Sequence, residues 1–210
     1  MAKKIDLKHL ENFRFTRQWF RRRNMGTFTE FVHPHWSGRQ SLTYLEIGVF
    51  EGMSLVWMLQ NVLTDETSRA VGIDPWLCGF NMNGDYLDEV MQRALANTEP
   101  FRARCQLIRA NSCDILRRMQ TKGGFLGIGF NDVDICLIDG AHYALSVLDD
   151  ARQSFKLLKP GGWLIFDDVV GRHAGPEHVR GGIDLFVAET GNGVKKVFAQ
   201  GYLEAWEKIE

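Results

Sequence analysis

The chain has 210 residues and 45% hydrophobic side chains, enough for one large domain with a full core or for two very small ones. Its 25 basic and 26 acidic side chains nearly cancel, which argues against a nucleic-acid binder because such proteins carry a basic excess. No apolar run suits a membrane span or a secretion signal, so we expect a cytoplasmic protein that binds neither membranes nor nucleic acids.

The N-terminal segment predicts two helices. Apolar residues at helical spacing and the absence of proline favour a helix over residues 6–23, and a second short helix follows Thr27 and ends near Pro34. The first helix closes with the basic run Arg21–Arg23. We interpret this run as a solvated helix face, with a site for an acidic partner as the alternative.

Beyond residue 41, strands and helices alternate five times. Apolar runs predict buried strands at 42–47, 70–74, 105–110, 133–140 and 163–168. Helical patterns lie between and after them, at 53–63, 85–98, 112–120, 144–158 and 177–189. A glycine-rich loop covers 122–132, a turn covers 159–162, and two final runs that meet at Gly201 predict a hairpin.

This alternation predicts an α/β fold of the Rossmann-like, doubly wound type. The sheet is expected to be mostly parallel, with helices on both faces and an antiparallel strand added by the terminal hairpin. In such sheets, ligands bind beyond the carboxyl ends of the strands, where the strand order reverses. The four cysteines form no CxxC pair, so we expect free thiols at Cys78, Cys105, Cys113 and Cys136.

The turn after the first strand, EIGVFEGMS at residues 46–54, is the first candidate binding site. Glycine allows a tight turn and close approach of a ligand, and the following helix presents its N–H groups there. Only Gly48 and Gly52 are present, so this is not the GxGxxG motif of dinucleotide-binding folds. Glu46 and Glu51 would repel a diphosphate and suit a cationic ligand. A plain strand–turn–helix without a ligand is the alternative.

Two further strand ends carry polar residues. Asp74 lies about 20 residues beyond the glycine loop, where an acid accepts both ribose hydroxyls of an adenosyl group. A helix cap or a turn acid beside Pro75 is the alternative. Ser112 follows Asn111 after the third strand and would contact adenine or ribose, although a helix N-cap is the interpretation we favour there.

The sharpest pattern joins the fourth and fifth strands. Asp139, Asp167 and Asp168 follow strands that should be neighbours, and crowded carboxylates favour a divalent cation such as Mg²⁺. His142 lies three residues after Asp139, where a neutral imidazole would take a proton from a substrate hydroxyl. Caps or loop acids, and a histidine that merely starts a helix, are the alternatives.

Together these segments resemble the class I S-adenosylmethionine-dependent methyltransferases, and within them the methyltransferase domain 24 family. The resemblance rests on LEIGVFEGMS, VGIDPW, IDGAH followed by Val147 and Asp150, LLKPGGWLIFDD, and EHVRGGIDLFVAE. These segments keep the family's order between about residues 42 and 190. The resemblance implies a seven-stranded sheet, and we expect the methyltransferase domain to cover 41–210. Residues 1–40 match no part of the family, and their pattern predicts an N-terminal helical cap.

The resemblance also implies roles for individual residues. In such enzymes the methionine end of the cofactor would be lined by Gly48, Glu51, Gly52 and Ser54. Glu46 matches the acid of the first motif, Asp74 matches the ribose-binding acid, and Ser112 and Asp139 complete the expected cofactor contacts. Metal-dependent O-methyltransferases of similar type hold their ion at positions that match Asp139, Asp167 and Asp168, and His142 occupies the place of their base.

We therefore expect an S-adenosylmethionine-dependent methyltransferase that methylates a hydroxyl of a small sugar-like or catechol-like acceptor, with Mg²⁺ as a candidate ion. A departure from the family affects substrate contacts: its usual tyrosine two places after the histidine is Ala144, with Tyr143 one place early. The alternatives are metal-independent N- or C-methylation, a non-catalytic cofactor-binding protein and, more weakly, a nucleotide-dependent oxidoreductase. The sequence leaves a homo-oligomer open.

Overall fold

The computed structural model describes residues 8–77, 84–121, 123–171 and 174–209. Seven strands in this part of the chain form one sheet in the order β3-β2-β1-β4-β5-β7-β6. The strands are β1 Thr43–Ile47, β2 Arg69–Asp74, β3 Cys105–Arg109, β4 Val133–Ile138, β5 Leu158–Phe166, β6 Val194–Gln200 and β7 Leu203–Lys208. β1 to β5 are parallel, and β7 runs antiparallel to both β5 and β6. The predicted fold class is confirmed.

Helices cover both faces of the sheet. They are α1 Trp19–Arg23, α2 Met25–Thr27, α3 His33–Trp36, α4 Met53–Asn61, α5 Gly84–Thr98, α6 Ser112–Met119, α7 Ala144–Leu157 and α8 Val179–Thr190, with a π-helical turn Phe28–Val32 that joins α2 to α3. One buried apolar cluster packs the N-terminal helices, α4 and α5 against the sheet. A second cluster packs α6, α7 and α8 against the opposite face. None of these helices is long and apolar enough to cross a membrane.

The predicted N-terminal helix is wrong over residues 8–18, which form no regular helix before α1. Tertiary hydrogen bonds replace the helical ones there. Backbone N–H groups of this segment donate to side chains of α4, of α5 and of the loop between β1 and α4. The bonds are Lys8 to Asn61 (2.8 Å), Arg14 to Asn97 (3.0 Å) and Thr16 to Glu51 (2.7 Å). The second helical region begins at Met25 and runs beyond Pro34 to Trp36.

The predicted turn at 159–162 lies within β5. Val133 pairs with Leu158 and Ile135 with Trp163, so the intervening residues leave the register as an irregularity between two paired stretches. Three cysteines are confirmed as free thiols, Cys105, Cys113 and Cys136. Cys78 lies outside the described residues.

Candidate active site

Gly48 follows β1 and lies against the end of β4. Its φ of +87° favours glycine, and a Cβ atom at this position would lie 1.9 Å from the carbonyl oxygen of Asp139. Hydrogen bonds fix the contact: Gly48 N–H donates to Ile73 O (2.9 Å), and Asp139 N–H donates to Ile47 O (2.8 Å). The glycine bend and the β4 acid therefore share one edge of the sheet, where the strand order reverses between β1 and β4.

The loop between β1 and α4 closes with Gly52, which has a φ of +78° and is the N-cap residue of α4. A glycine supplies no side-chain cap, so within the described residues the first-turn N–H groups of α4 have no side-chain partner. Such groups attract a negatively charged or carbonyl-bearing ligand. The loop thus combines room for close backbone approach with free donors at its end.

Asp74 ends β2 beside this loop. One carboxylate oxygen accepts from the Phe50 N–H (2.9 Å) and the other from the Trp76 N–H (2.7 Å). The backbone N–H of Val49 also interacts with this carboxylate, which leaves capacity for a further hydroxyl donor such as that of a ribose. Burial raises the pKa of the Asp74 carboxyl. The indole of Trp76 donates to Phe50 O (2.9 Å) and fixes one wall of the loop.

Glu46 is fully buried in β1, with two hydroxyl groups donating to it. Tyr44 Oη lies 2.6 Å from one carboxylate oxygen and Ser54 Oγ lies 2.7 Å from the other. Removal from water raises the pKa of Glu46 to about 7, although both hydrogen bonds act in the opposite direction. The hydroxyl of Ser54 therefore bonds to β1 through Glu46, and its predicted contact with the cofactor stays a prediction.

Glu51 lies in the loop between β1 and α4, and its carboxylate is bound by other parts of the chain. Its carboxylate accepts from the N–H and the hydroxyl of Thr16 (both 2.7 Å) and from Nε of Arg93 (2.6 Å), and the residue is 1% exposed. This carboxylate joins the N-terminal segment and α5 to the glycine loop. The predicted contact of Glu51 with the cofactor stays a prediction.

Ser112 is the first residue of α6, but the N-cap is Asn111, whose side chain accepts from Cys113 N–H at 3.0 Å. The N-cap interpretation of Ser112 is therefore wrong. Its hydroxyl donates instead to Asp150 in α7 at 2.6 Å. Burial raises the pKa of Asp150 to about 6. A contact from Ser112 to adenine or ribose stays a prediction.

Asp139, His142 and Asp168 come together at the carboxyl ends of β4 and β5. One ligand-capable atom of each lies within 4.8 Å of the others, and His142 Nε2 is 3.2 Å from Asp168 Oδ2. Burial and the charges of Asp167 and Asp168 raise the pKa of Asp139 well above its ordinary value. This group, which we call the acid centre, concentrates negative charge that a cation would relieve.

Asp167 lies beside the three residues of the acid centre, and its side chain interacts with that of Asp139. Its carboxylate accepts from the Asn24 side-chain amide and from Asp168 N–H (2.6 Å), and Asp168 takes a left-handed backbone conformation with φ of 56°. Burial, followed by the charge of Asp168, raises the pKa of Asp167 to about 6. His142, predicted as a base, is also a potential ligand beside Asp139 and Asp168, and the predicted role of Asp167 as a ligand stays a prediction.

Two residues of the N-terminal segment were missed as site residues. Asn24 contacts Asp167, and Arg23 Nη1 lies 3.3 Å from Asp168 Oδ1. The basic run at Arg21–Arg23 was the available signal for Arg23, but its preferred interpretation was a solvated face. Asn24 had no signal, because a single asparagine after a helix is ordinary.

A mostly parallel, doubly wound sheet with a glycine loop at the strand-order reversal and acids at the following strand ends defines the class I S-adenosylmethionine-dependent methyltransferases. A model of the methyltransferase domain 24 family matches residues 45–169, more than half of the chain. The chain belongs to this family of methyltransferases, and its cofactor is accordingly S-adenosylmethionine.

Individual proteins match this chain at low sequence identity. An uncharacterised protein of Acanthamoeba polyphaga mimivirus is 32% identical over 130 residues, which are 62% of this chain and 52% of that protein. The chain thus spans about half the length of this curated relative. A protein of Clostridium thermocellum provisionally assigned as an rRNA methylase aligns with a TM-score of 0.63 at 14% identity, covering 90% of this chain and 97% of its own.

An O-methyltransferase of Bacillus cereus, solved in complex with S-adenosylhomocysteine, aligns with a TM-score of 0.58 at 20% identity. The alignment covers 79% of this chain and 74% of that one. At such identities, the likeness of both solved structures to this chain shows the fold, and the acceptor must be argued from the site itself.

Proposed function

We propose that this methyltransferase transfers the methyl group of S-adenosylmethionine to a hydroxyl oxygen of a small acceptor, assisted by a divalent cation. The observation that supports this most is the contact of Gly48 with Asp139. It joins the loop between β1 and α4, where the cofactor would bind, to the acid centre at one edge of the sheet. A methyl donor held by the loop and an acceptor held at the acid centre would therefore be neighbours.

The cofactor side of the proposal rests on three features around the loop. Asp74 would accept a ribose hydroxyl with the acceptor capacity that its three backbone donors leave open. Gly48 and Gly52 would allow the methionine portion to approach the backbone, and the α4 N–H groups would meet its carboxylate. The buried charge of Glu46 would favour the positive sulfonium at a distance.

The residues of the acid centre fit a divalent cation. Asp139 and Asp168 offer carboxylate oxygens, and His142 offers a ring nitrogen within the same 4.8 Å group. Oxygen ligands suit Mg²⁺, and a mixed oxygen–nitrogen set also suits Mn²⁺. A bound ion would supply Lewis acidity, which lowers the pKa of an acceptor hydroxyl.

When the carboxylates of Asp139 and Asp168 hold the ion, His142 is the proposed proton acceptor. When Nε2 carries the hydrogen and donates to Asp168, Nδ1 is the basic ring nitrogen, and it would accept a proton from the acceptor hydroxyl. The hydroxyl oxygen then forms its bond to the methyl carbon while the carbon–sulfur bond breaks. The products are a methyl ether and S-adenosylhomocysteine, and the proton is on His142. Holding both reactants in line contributes up to roughly 7–11 kcal/mol to such a reaction.

Titration calorimetry with S-adenosylhomocysteine, and with NAD as the control, tests the cofactor assignment. We expect binding of the first and none of the second, and the reverse would point to an oxidoreductase. A panel of sugars and catechols with labelled S-adenosylmethionine then tests the acceptor class. Cofactor binding without label transfer to any hydroxyl or amine would favour a non-catalytic role.

Chelation tests the metal. We expect EDTA to abolish methyl transfer and added Mg²⁺ or Mn²⁺ to restore it. The contact between Arg23 and Asp168 favours a second candidate, methylation of nitrogen or carbon without a metal, because the guanidinium already neutralises part of the acid centre. Full turnover after chelation would select this second candidate.

A further inference from the structure

Arg23 contacts the acid centre from outside the sheet. Its Nη1 lies 3.3 Å from Oδ1 of Asp168, while His142 Nε2 lies 3.2 Å from Oδ2 of the same carboxylate. Arg23 is 43% exposed and Asp168 is 15% exposed, so the guanidinium reaches inward from the surface. Arg23 thus holds an oxygen that a metal ion at this carboxylate would also use.

The next residue strengthens the connection. Asn24 is 5% exposed, and its amide nitrogen donates to Asp167. The oxygen of the same amide is buried and has no hydrogen-bond partner among the described residues. A buried amide oxygen without a partner costs free energy unless water, a ligand hydroxyl or an ion meets it. Since the amide group is small and planar, this oxygen lies next to the β5 acids.

The guanidinium of Arg23 also contacts the ring of Tyr202. The carbon at its centre lies 4.8 Å from the centroid of the Tyr202 ring, in the turn between β6 and β7. A cation over an aromatic face is attracted there, and an arginine stem is long enough to exchange one contact for another. Arg23 can therefore leave Asp168 and still keep the ring of Tyr202 as a partner.

We propose that Arg23 is a tethered cation that competes with a divalent metal ion for Asp168. Without the ion, the guanidinium neutralises Asp168. On metal binding, the ion takes this oxygen, and Arg23 leaves Asp168 but keeps its contact with the ring of Tyr202. This inference rests on the metal site of the proposed function, and it adds that a side chain of the N-terminal segment sets the affinity of that site.

The test measures metal binding by calorimetry with Mn²⁺ alone, on the full-length protein and without methyl acceptor. Arg23→Gln removes the competing charge, and Arg22→Gln is the matched control, since Arg22 is an exposed neighbour whose replacement changes the net charge equally. We expect Arg23→Gln to bind Mn²⁺ roughly three- to fivefold more tightly than Arg22→Gln, the range of a partly exposed ion pair. Arg23→Lys, which keeps the charge, should bind like wild type.

Equal affinities of the two glutamine variants would overturn the proposal, since the Mn²⁺ affinity would then depend only on the net charge of α1 and not on the contact between Arg23 and Asp168. Weaker binding by Arg23→Gln would overturn it as well and would make Arg23 a support of the site. Absence of Mn²⁺ binding in wild type and Arg23→Gln alike would overturn both this inference and the metal site. Calorimetry with S-adenosylhomocysteine on the same samples keeps that outcome distinct from a failure of the methyltransferase assignment.

Discussion

Glu46 offers a direct physical test of the site, because its carboxyl group is buried without a basic partner in its described hydrogen bonds. The hydroxyls of Tyr44 and Ser54 donate to it, yet burial still raises its pKa from 4.5 to about 7. Glu46→Gln keeps the size and the polar character of the side chain and removes the titration. The variant therefore isolates the free-energy cost of a buried charge.

The sign follows from proton binding. Between pH 4.5 and about 7, folded Glu46 keeps a proton that the unfolded chain has lost, so the stability contributed by this group falls as the pH rises. Above pH 7 both states are ionised and the cost of the buried charge is complete. At about 1.4 kcal/mol per pKa unit, the free energy of unfolding of Glu46→Gln should gain roughly 2–3 kcal/mol on wild type between pH 5 and pH 8.

Urea unfolding of the cofactor-free protein at pH 5, 6, 7 and 8 measures this difference. Glu66→Gln is the control, since Glu66 is exposed and its replacement removes a carboxylate that is already solvated in the folded protein. That variant should follow wild type at every pH. If Glu46→Gln also follows wild type, the carboxyl of Glu46 is not desolvated. If the glutamine variant loses stability at pH 8, a cation stabilises the buried carboxylate, and the electrostatic account of the loop is wrong.

Other perturbations address the remaining parts of the site. Gly48→Ala places a Cβ atom against the carbonyl oxygen of Asp139, whereas Gly38→Ala, at a similar φ of +80°, places one in open space. The free energy of unfolding of Gly48→Ala should therefore be at least about 3 kcal/mol below that of Gly38→Ala. Equal losses in urea unfolding would contradict the contact. Asp74→Ala should weaken S-adenosylhomocysteine binding at least roughly tenfold in calorimetry while circular dichroism stays native; wild-type affinity would refute the ribose assignment. Asp139→Asn and Asp168→Asn should each lower turnover at least roughly 100-fold and keep cofactor affinity, and unchanged turnover would remove the acid centre from the reaction.

The sequence predicted the strands and the shared edge because each depends on local signals. An apolar run of five or six residues followed by a small or acidic residue indicates a buried parallel strand with a polar end. Alternation with helices then places all such ends on one side. The contact between Gly48 and Asp139 is a consequence of that rule, although 90 residues separate the two along the chain.

The sequence did not predict contacts that depend on side chains from distant segments. The spacing of Leu10 and Phe13 suits a helix, but these side chains pack into the apolar cluster on one face of the sheet. The backbone of the same segment bonds to side chains of other elements, as Arg14 does to Asn97. Glu51 was assigned by its place in a motif, and only the fold reveals that Thr16 and Arg93 hold its carboxylate. Burial and pairing of this kind decide which acid of a motif faces a ligand.

The family match covers only part of the site. The match ends at residue 169 and begins at residue 45, so it includes the acids of the site and excludes Arg23 and Asn24, which contact two of them. Tyr202, on which Arg23 packs, lies outside it too. Because the charge state and metal affinity of a carboxylate depend on its neighbours, relatives that share the acids need not share either property. The acceptor and the ion must therefore be measured on this chain, with its own N-terminal segment in place.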